Sequence, residues 1–527
     1  MITLHSKNLD NGVNIQKIRL LQLPTKSSSR DTKNAALLAR TPSWSPAEIL
    51  SQRLFATIDP QGSAKIQHHS LLFRELLGRL GHSRALDNAA MCLVESHEAT
   101  LRGADSASWF NLKYYGKTLQ SIQQAVNDPK EQYSLHTMAA IDLLWRVEAL
   151  FTQIRAVNNQ FIHGRALVNI FKHRGLRNTT DPLEALLVVD CVLGDVQASA
   201  SIPRPSYFDT PEWDFALSSL AGWSLSSEVY MQLFRLMAKW PGLIHDIRMV
   251  QKCPEKSRGS AEETLRRALG VAASLEALES ALAILMNDPK HCIIRQTSYI
   301  DALVPLSYEF VDPEVAPLAG YHCFFTLVVN RMIGFLNTLL PDSPSTIADD
   351  PSPPGCDISL SLFSTPPPFD PALCDVSMPP SPALCDLSIS PDFYPSGPVE
   401  QLSMDYNLAT TDDSPVSLFT HHESLSLPLS PSFVSRIYDK NHAVSRQVWM
   451  MYDQARKWKP LGTLFFSNAL VVSLPWADSP EMQDWVISAA NDVEYLRPLI
   501  EQWDYNMMDI IAKAYGGEIL DDFNRPA

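Results

Sequence analysis

Apolar residues recur at intervals of three and four over most of this chain, and this spacing constrains its fold more than any other feature. Such spacing places them on one face of an α-helix, whereas a half-buried strand needs strict alternation, which is scarce here. Two helical faces illustrate the pattern. They comprise Leu71, Leu72, Leu76 and Leu80, then Leu86, Ala90, Leu93, Val94 and His97. We therefore predict an all-α fold, a multi-helix domain built of packed helical hairpins.

Capping residues and turn signals set the expected helix boundaries. Ser45, Pro46 and Glu48 form a capping box with proline at the first helical position, so we expect the ordered domain to begin there. Helices are predicted over residues 108–126, 134–151, 159–174, 182–196, 226–240, 261–286 and 317–340. Turns are expected at Asp128-Pro129, Arg174-Gly175, Asp181-Pro182 and Trp240-Pro241-Gly242. Residues 45–340 are therefore the predicted helical domain.

Residues 341–432 break the helical pattern, and we call them the acidic insert. They hold 18 of the chain's 38 prolines, mixed with Ser, Asp and isolated apolar residues. Such a composition cannot bury enough surface to offset the entropy lost on ordering, so we predict that the insert is disordered. Helical spacing resumes near Phe433, over 433–458 and again over 480–515. Residues 433–527 are therefore expected to complete the same domain across the insert.

The distribution of charge argues against direct DNA binding. Thirteen acidic residues lie between Asp342 and Glu423, and no Lys or Arg occurs between Arg331 and Arg436. Of the formal net charge of -15, only about -2 therefore remains for the rest of the chain. Proteins that bind DNA through its phosphates need a basic surface that releases counterions. We expect no sequence-specific DNA binding from this chain.

Three features of the sequence bear on the compartment of the protein. Residues 1–44 are predicted to be a flexible, mildly basic tail whose scattered charges favour a solvated terminus over a nuclear-import signal. The first 12 residues lack an apolar h-region, so we expect an intracellular protein. The most apolar run, residues 321–340, contains His322, Asn330 and Arg331, which predicts a buried core helix and not a membrane span.

Motifs of catalysis and metal binding are missing from the sequence. There is no phosphate loop, no Gly-x-Ser-x-Gly elbow and no His-Glu-x-x-His, and we predict no enzyme, no cofactor and no metal. His97-Glu98 and His421-His422-Glu423 come nearest to a metal cluster. The first lacks a second His at helical spacing, and the second lies in the acidic insert, so we attribute both to chance. Five dispersed cysteines are expected to be small buried hydrophobes: Cys92, Cys191, Cys253, Cys292 and Cys323. A dispersed carboxylate site would escape this search.

Four sequence elements occur in an order that resembles a known family. They are Leu80 to Ala90 with Ser96 to Ala99, Tyr115-Gly116 to Leu119, Leu143-Leu144 with Glu148, and His163-Gly164-Arg165-Ala166 with His173-Arg174-Gly175. Together they are similar to the fungal-specific transcription factor domain, best over residues 45–340. As single residues, His163, Gly164 and Gly175 are interpreted as packing and turn positions. The resemblance implies a helical regulatory domain in the nucleus, with sharing between nucleus and cytoplasm left open.

One feature of that family has no counterpart here. Its members usually begin with a six-cysteine zinc cluster that reads DNA, whereas the first cysteine here is Cys92, inside the predicted helical domain. We therefore expect regulation through other proteins, either the transcription machinery or a DNA-binding regulator. The resemblance leaves open control of a metabolic or secondary-metabolite gene cluster.

The acidic insert has the composition of an activation segment, although a solvated linker without a target is an equal alternative. Apolar side chains next to acidic ones stay solvated and can dock into partner grooves. A unit of Cys, Asp, apolar, Ser, apolar recurs at Cys356, Cys374 and Cys385. The candidate docking hydrophobics are Leu360, Phe363, Phe369, Leu387, Phe393, Tyr394, Tyr406 and Phe419. Six Ser-Pro steps are candidate phosphosites: Ser343, Ser352, Ser381, Ser390, Ser414 and Ser430.

Three functions stay open at this point. A transcription-regulator-like protein acting by protein contacts is the favoured hypothesis. A helical scaffold or adaptor unrelated to transcription is the second. A helical enzyme or an effector-binding receptor with a dispersed site is the third.

Overall fold

The structure, a computed structural model, describes twelve segments of the chain. They are residues 44–58, 70–102, 109–151, 157–177, 181–201, 204–219, 225–252, 258–297, 303–340, 429–458, 464–493 and 502–518. Most of these residues lie in helices, and the single sheet among them has two strands, which confirms the all-α prediction. Residues 341–428 lie outside the described residues, and all eight candidate hydrophobics and the five Ser-Pro steps from Ser343 to Ser414 belong to them.

Seven helices form the N-terminal part of the fold. They are α1 (Pro46–Ile58), α2 (Ser70–Leu77), α3 (Arg84–Leu101), α4 (Leu112–Asn127), α5 (Leu135–Phe151), α6 (Val157–Arg174) and α7 (Pro182–Ser201). Consecutive helices pack on one another from α3 to α7, and α3 also packs on α5. This is the expected array of helical hairpins. The described bounds of α4 to α6 agree with the predicted ones within four residues.

The middle of the fold holds five helices and the only hairpin of strands among the described residues. They are α8 (Pro211–Ser219), α9 (Leu225–Met237), α10 (Trp240–Lys252), α11 (Arg258–Asn287), β1 (Cys292–Gln296), β2 (Leu306–Phe310) and α12 (Val315–Leu339). The strands are antiparallel, with Cys292 opposite Phe310 and Gln296 opposite Leu306.

Five helices follow the acidic insert. They are α13 (Pro431–Met450), α14 (Tyr452–Lys457), α15 (Leu464–Ser473), α16 (Pro480–Asp492) and α17 (Tyr505–Tyr515), with a 3₁₀ turn at Leu474–Trp476. Helix α13 begins two residues before the expected position at Phe433. The Ser430 side chain caps it by accepting a hydrogen bond from the Phe433 N–H at 3.3 Å.

Helix α12 is the centre of the hydrophobic core. Its residues 315–330 are all buried, and it packs against α9, α11, α13 and α15. A helix that is apolar all round must be covered on every side, so four neighbours surround it. This confirms that residues 321–340 include a buried core helix.

Helices after the insert pack on helices before it. Trp240 Nε1 donates to the Tyr515 carbonyl at 3.0 Å, and Gln251 Nε2 donates to the Gly517 carbonyl at 2.9 Å. Arg331 on α12 pairs with Glu518 at 2.7 Å. Residue 517 has a φ of +84°, which suits glycine, and a Cβ there would lie 3.2 Å from the Ile247 side chain. The close contact between this turn and α10 therefore depends on Gly517.

The structure also bears on three further predictions, which concern the capping box, one turn and the cysteines. The capping box is confirmed, because the Ser45 N–H donates to Glu48 at 2.7 Å and the Glu48 N–H donates to Ser45 Oγ at 3.2 Å. The turn expected at Trp240-Pro241-Gly242 is wrong: these residues begin α10, because the first turn of a helix tolerates proline. Cys92, Cys191, Cys292 and Cys323 are buried free thiols, as expected, and Cys253 lies outside the described residues.

Helix α11 is 30 residues long and largely apolar. Among the described helices it alone has the length and composition to cross a bilayer. Here it packs against α9, α10 and α12. Its side chains Glu276 and Glu279 face the site described next.

Candidate functional site

Leu340 and Leu429 are the last described residue before positions 341–428 and the first one after them, and both lie at the C-terminal end of α12. The chain leaves the helical body after α12, at Leu340, and returns at Leu429, just before α13. The Leu429 N–H donates to Asn337 Oδ1 at 2.8 Å, which ties the returning chain to the last turns of α12. The two described residues that flank positions 341–428 therefore both lie at the C-terminal end of α12.

Polar contacts hold α13 in register on its neighbours. Asn330 Nδ2 donates to Asn441 Oδ1 at 2.7 Å, and both side chains are buried. Lys440 forms an ion pair with Glu279 on α11. A buried pair of amides is favourable only when the two helices align so that they meet, so it specifies one arrangement of α12 against α13.

A cavity of about 430 Å³ lies between α11, α12 and α13, and we call it the α13 pocket. It has the size of typical small-molecule sites. Helix α11 contributes Ala272, Leu275, Glu276 and Glu279, helix α12 contributes His322, Thr326 and Asn330, and helix α13 contributes Phe433, Arg436, Ile437, Asp439 and Lys440. One part of its wall is apolar and another is polar, which is the make-up of a binding site for an amphipathic molecule.

His322 is the buried histidine of the α13 pocket. It is 3% exposed, and its Nε2 lies 3.1 Å from the Leu275 carbonyl, to which Nε2–H donates. Burial lowers the pKa of His322, although the bond to the carbonyl acts in the opposite direction. The ring is therefore neutral near pH 7, and its Nδ1 is a hydrogen-bond acceptor.

Three of the residues that carry the family resemblance meet in the structure. Tyr115 Oη donates to Glu148 Oε1 at 2.6 Å, and His163 Nε2 lies 3.0 Å from the same oxygen. These side chains come from α4, α5 and α6, and we call them the Tyr115 cluster. Burial, and secondly the Glu148 carboxylate, raise the pKa of Tyr115, so its hydroxyl stays protonated and donates. The cluster joins three consecutive helices.

The other resemblance elements also join helices. Gly164 on α6 and Gly194 on α7 face each other, and a Cβ at Gly194 would lie 3.7 Å from the Gly164 Cα. Arg174 at the end of α6 binds Glu184 at 3.1 Å through Nη2. Gly175 has a φ of +65°, which a glycine adopts readily after a helix. All these positions therefore serve packing and turns, as interpreted for the single residues.

A second buried ionic group lies between α5 and α7. Arg146 Nε donates to Asp142 Oδ2 at 2.7 Å, and the same guanidinium pairs with Asp190. Asp142 and Arg146 are 0% and 2% exposed. Burial and the neighbouring Asp190 raise the pKa of Asp142, and burial raises the pKa of Asp190 although Arg146 opposes this. Two carboxylates thus share one guanidinium in the core.

The structure places few of the predicted site residues. Of the candidate phosphosites, Ser430 alone is among the described residues, where it is the exposed N-cap of α13. His421-His422-Glu423 lies outside them. His97 is buried in α3, whereas Glu98 pairs with Arg53 at 2.9 Å. Within the described ranges, no group of His, Cys, Asp and Glu side chains is arranged to hold a metal ion.

Sequence reasoning missed the α13 pocket, although one signal pointed to it. His322, Thr326 and Asn330 recur every four residues in an otherwise apolar helix, so they share one face of α12. A polar stripe on a buried helix must meet a partner or a cavity. Which of the two it meets depends on α11 and α13.

No protein-family model, no curated protein and no solved structure matches this chain.

Proposed function

We propose that this chain is a transcription-regulator-like protein of the fungal-specific family that acts through contacts with other proteins. In this proposal it is not an enzyme, and its partners are the transcription machinery or a DNA-binding regulator. It acts in the nucleus, and its targets are genes of a metabolic or secondary-metabolite cluster. The helical body presents the acidic insert to those partners.

One observation carries the proposal. Leu340 and Leu429, which flank the insert residues 341–428, both lie at the C-terminal end of α12. The hydrogen bond from the Leu429 N–H to Asn337 Oδ1 holds Leu429 there. A segment tethered at both ends offers several weak docking motifs from one site, which raises their effective concentration for a partner. Thirteen of the chain's acidic residues lie in this segment, beside its candidate hydrophobics.

The charge distribution supports action through a DNA-bound partner. With a formal charge of about -2 outside the insert, the helical body lacks the basic excess that drives binding to phosphates. We expect purified chain to bind duplex DNA only nonspecifically at physiological salt. A footprint on a defined sequence that survives competitor DNA would contradict this part of the proposal.

A reporter experiment tests the role of the insert. The full chain, fused to a foreign DNA-binding domain, is expected to activate a reporter gene in fungal cells. A variant with six hydrophobics changed to Ala and every acidic residue kept should lose that activity, because docking requires apolar side chains. The six are Leu360, Phe363, Phe369, Leu387, Phe393 and Tyr394.

The matched control changes six serines of the same segment to Ala and should keep full activity. They are Ser359, Ser361, Ser364, Ser377, Ser388 and Ser403. A nuclear fusion that is inert, or one whose activity survives the six hydrophobic changes, would favour a helical scaffold with a solvated linker.

A further inference from the structure

We propose that the α13 pocket binds a small organic amine, a molecule with a protonated primary amino group and an apolar body. This inference rests on the geometry of the pocket and not on the function proposed above. A chain that failed the reporter experiment could still bind the amine.

Two residues that line the α13 pocket each carry a buried side-chain atom without a hydrogen-bond partner among the described residues. These atoms are Thr326 Oγ1 on α12 and Glu276 Oε2 on α11. Thr326 is 6% exposed, so bulk solvent does not reach its hydroxyl freely. Because buried polar atoms in proteins are nearly always hydrogen-bonded, these two mark where a bound molecule would place its polar group.

The hydrogen-bonding character of this polar wall selects a donor. Glu276 offers a carboxylate oxygen, Thr326 a hydroxyl oxygen, and the neutral His322 its Nδ1 as an acceptor. An ammonium group carries three N–H donors and accepts none, which makes it the complement of three acceptors. Carboxylate or phosphate ligands would instead meet the acceptors with further acceptors.

The charges around the α13 pocket point the same way. Glu279 is already paired with Lys440, and Arg436 lies at the exposed rim with its Cζ 5.2 Å from the centre of the Phe433 ring. Glu276 forms no ion pair with any described residue. Three carboxylates and two basic groups line the pocket, which leaves an excess of one negative charge. A cation would balance it.

The apolar part of the wall accounts for the rest of the ligand. Leu275 on α11 and Phe433 and Ile437 on α13 line the pocket together with Ala272. Burying an aliphatic or aromatic body against them is favourable because it removes apolar surface from water. A ligand held in this way touches all three helices, and it would stabilise the first turns of α13 against α11 and α12.

Calorimetric titration of the full chain tests the proposal with three probes of similar shape. They are 2-phenylethylamine, its neutral analogue 2-phenylethanol and the anion 3-phenylpropanoate. We expect the amine to bind with a Kd on the order of 1 mM, as suits a fragment of this size. The alcohol should bind at least tenfold more weakly, and the anion should not bind measurably. Equal affinity for amine and alcohol, or the absence of amine binding, would overturn the proposal.

Variants locate the site. Glu276→Gln should weaken amine binding at least tenfold and leave the weak binding of the alcohol unchanged. Thr326→Val, which keeps the shape of the side chain, should weaken amine binding several-fold. Glu263→Gln, on the exposed face of the same helix where Glu263 pairs with Arg266, is the matched control and should bind the amine as the unmodified chain does.

A measurement on the unmodified chain keeps the test independent of variant folding. Hydrogen exchange of the backbone amides in the first turns of α13 should slow when the amine is added and should not change with the anion. Unchanged exchange at saturating amine, or amine binding that survives Glu276→Gln in a folded protein, would place the amine elsewhere and contradict the assignment.

Discussion

The Tyr115 cluster and the α13 pocket both bring polar side chains from three helices together, yet they differ in what those side chains meet. In the Tyr115 cluster the hydroxyl and the imidazole both reach one carboxylate oxygen, at 2.6 and 3.0 Å. In the α13 pocket Thr326 and Glu276 line a cavity of about 430 Å³, and Thr326 Oγ1 and Glu276 Oε2 have no hydrogen-bond partner among the described residues. The first arrangement stabilises the fold, and the second is available to a ligand.

A polar residue on a buried helix does not by itself reveal whether its role is structural or in binding. His163 and His322 are both buried histidines on helices of this chain. His163 contacts the carboxylate of Glu148 on the preceding helix, whereas His322 donates from Nε2 to the Leu275 carbonyl and also lines the pocket. The arrangement of the neighbouring helix decides between a structural and a binding role.

We expect the largest effect on stability from removing the guanidinium that Asp142 and Asp190 share. Arg146→Met should lower the free energy of unfolding by about 3–5 kcal/mol, because the buried Asp142 and the half-buried Asp190 would lose the guanidinium that they share. Urea unfolding followed by circular dichroism measures this. Arg266→Met, at an exposed ion pair, is the control and should cost less than about 1 kcal/mol. Equal costs for the two variants would contradict a buried ionic group that depends on Arg146.

Two substitutions that each remove a hydroxyl group compare the Tyr115 cluster with the α13 pocket. Tyr115→Phe should cost about 2 kcal/mol, because it takes away a hydrogen bond to a buried carboxylate. Thr326→Val should be neutral or stabilising, because its hydroxyl has no partner. Thermal unfolding of the two variants at one pH compares them. A Thr326→Val change that costs as much as Tyr115→Phe would contradict the contrast.

A smaller effect depends on pH. The folded-state pKa of Asp142 is raised above the ordinary value of about 3.9, so the folded protein holds a proton that the unfolded chain releases. The stability that protonated Asp142 contributes is therefore fully present below a pH of about 3.9, the ordinary pKa. It is lost as the pH rises through the folded-state pKa of Asp142. Asp142→Asn removes this loss, because asparagine does not titrate. At pH 7.5 we expect the free energy of unfolding of the variant to be at most about 1 kcal/mol below that of the unmodified chain, or above it.

The pH series for Asp142→Asn has its own check. The stability of the variant relative to the unmodified chain should increase from pH 4.5 to pH 7.5 in urea titrations. A difference that stayed constant, or one that decreased with pH, would mean that Asp142 is ionised throughout.

The sequence predicted most helices because their apolar spacing and caps are local properties. Helices α4, α5, α6 and α12 begin and end close to the expected residues. Helix α15 was missed because Leu464–Ser473 is apolar almost throughout and shows no period. The strands β1 and β2 were missed because two five-residue segments, paired across a connection, carry little local signal.

The candidate sites depended on contacts that sequence spacing cannot supply. Tyr115, Glu148 and His163 were singled out by resemblance alone, and only the packing of α4, α5 and α6 brings them together. Likewise, His322 was noted as an interruption of an apolar run, whereas the pocket needs α13, which follows more than a hundred residues later. The candidate hydrophobics of the acidic insert remain predictions.

Helices from both sides of the acidic insert pack into one helical body, and cleavage at a single site within the insert tests this. A recognition sequence for a specific protease, placed after Asp386, allows the full chain to be cut once within the insert. We predict that the two fragments stay together in size-exclusion chromatography under native conditions, because α13 and α15 pack on α12 and Glu518 pairs with Arg331. They should separate only in denaturant. Fragments that separated in native buffer would contradict the account.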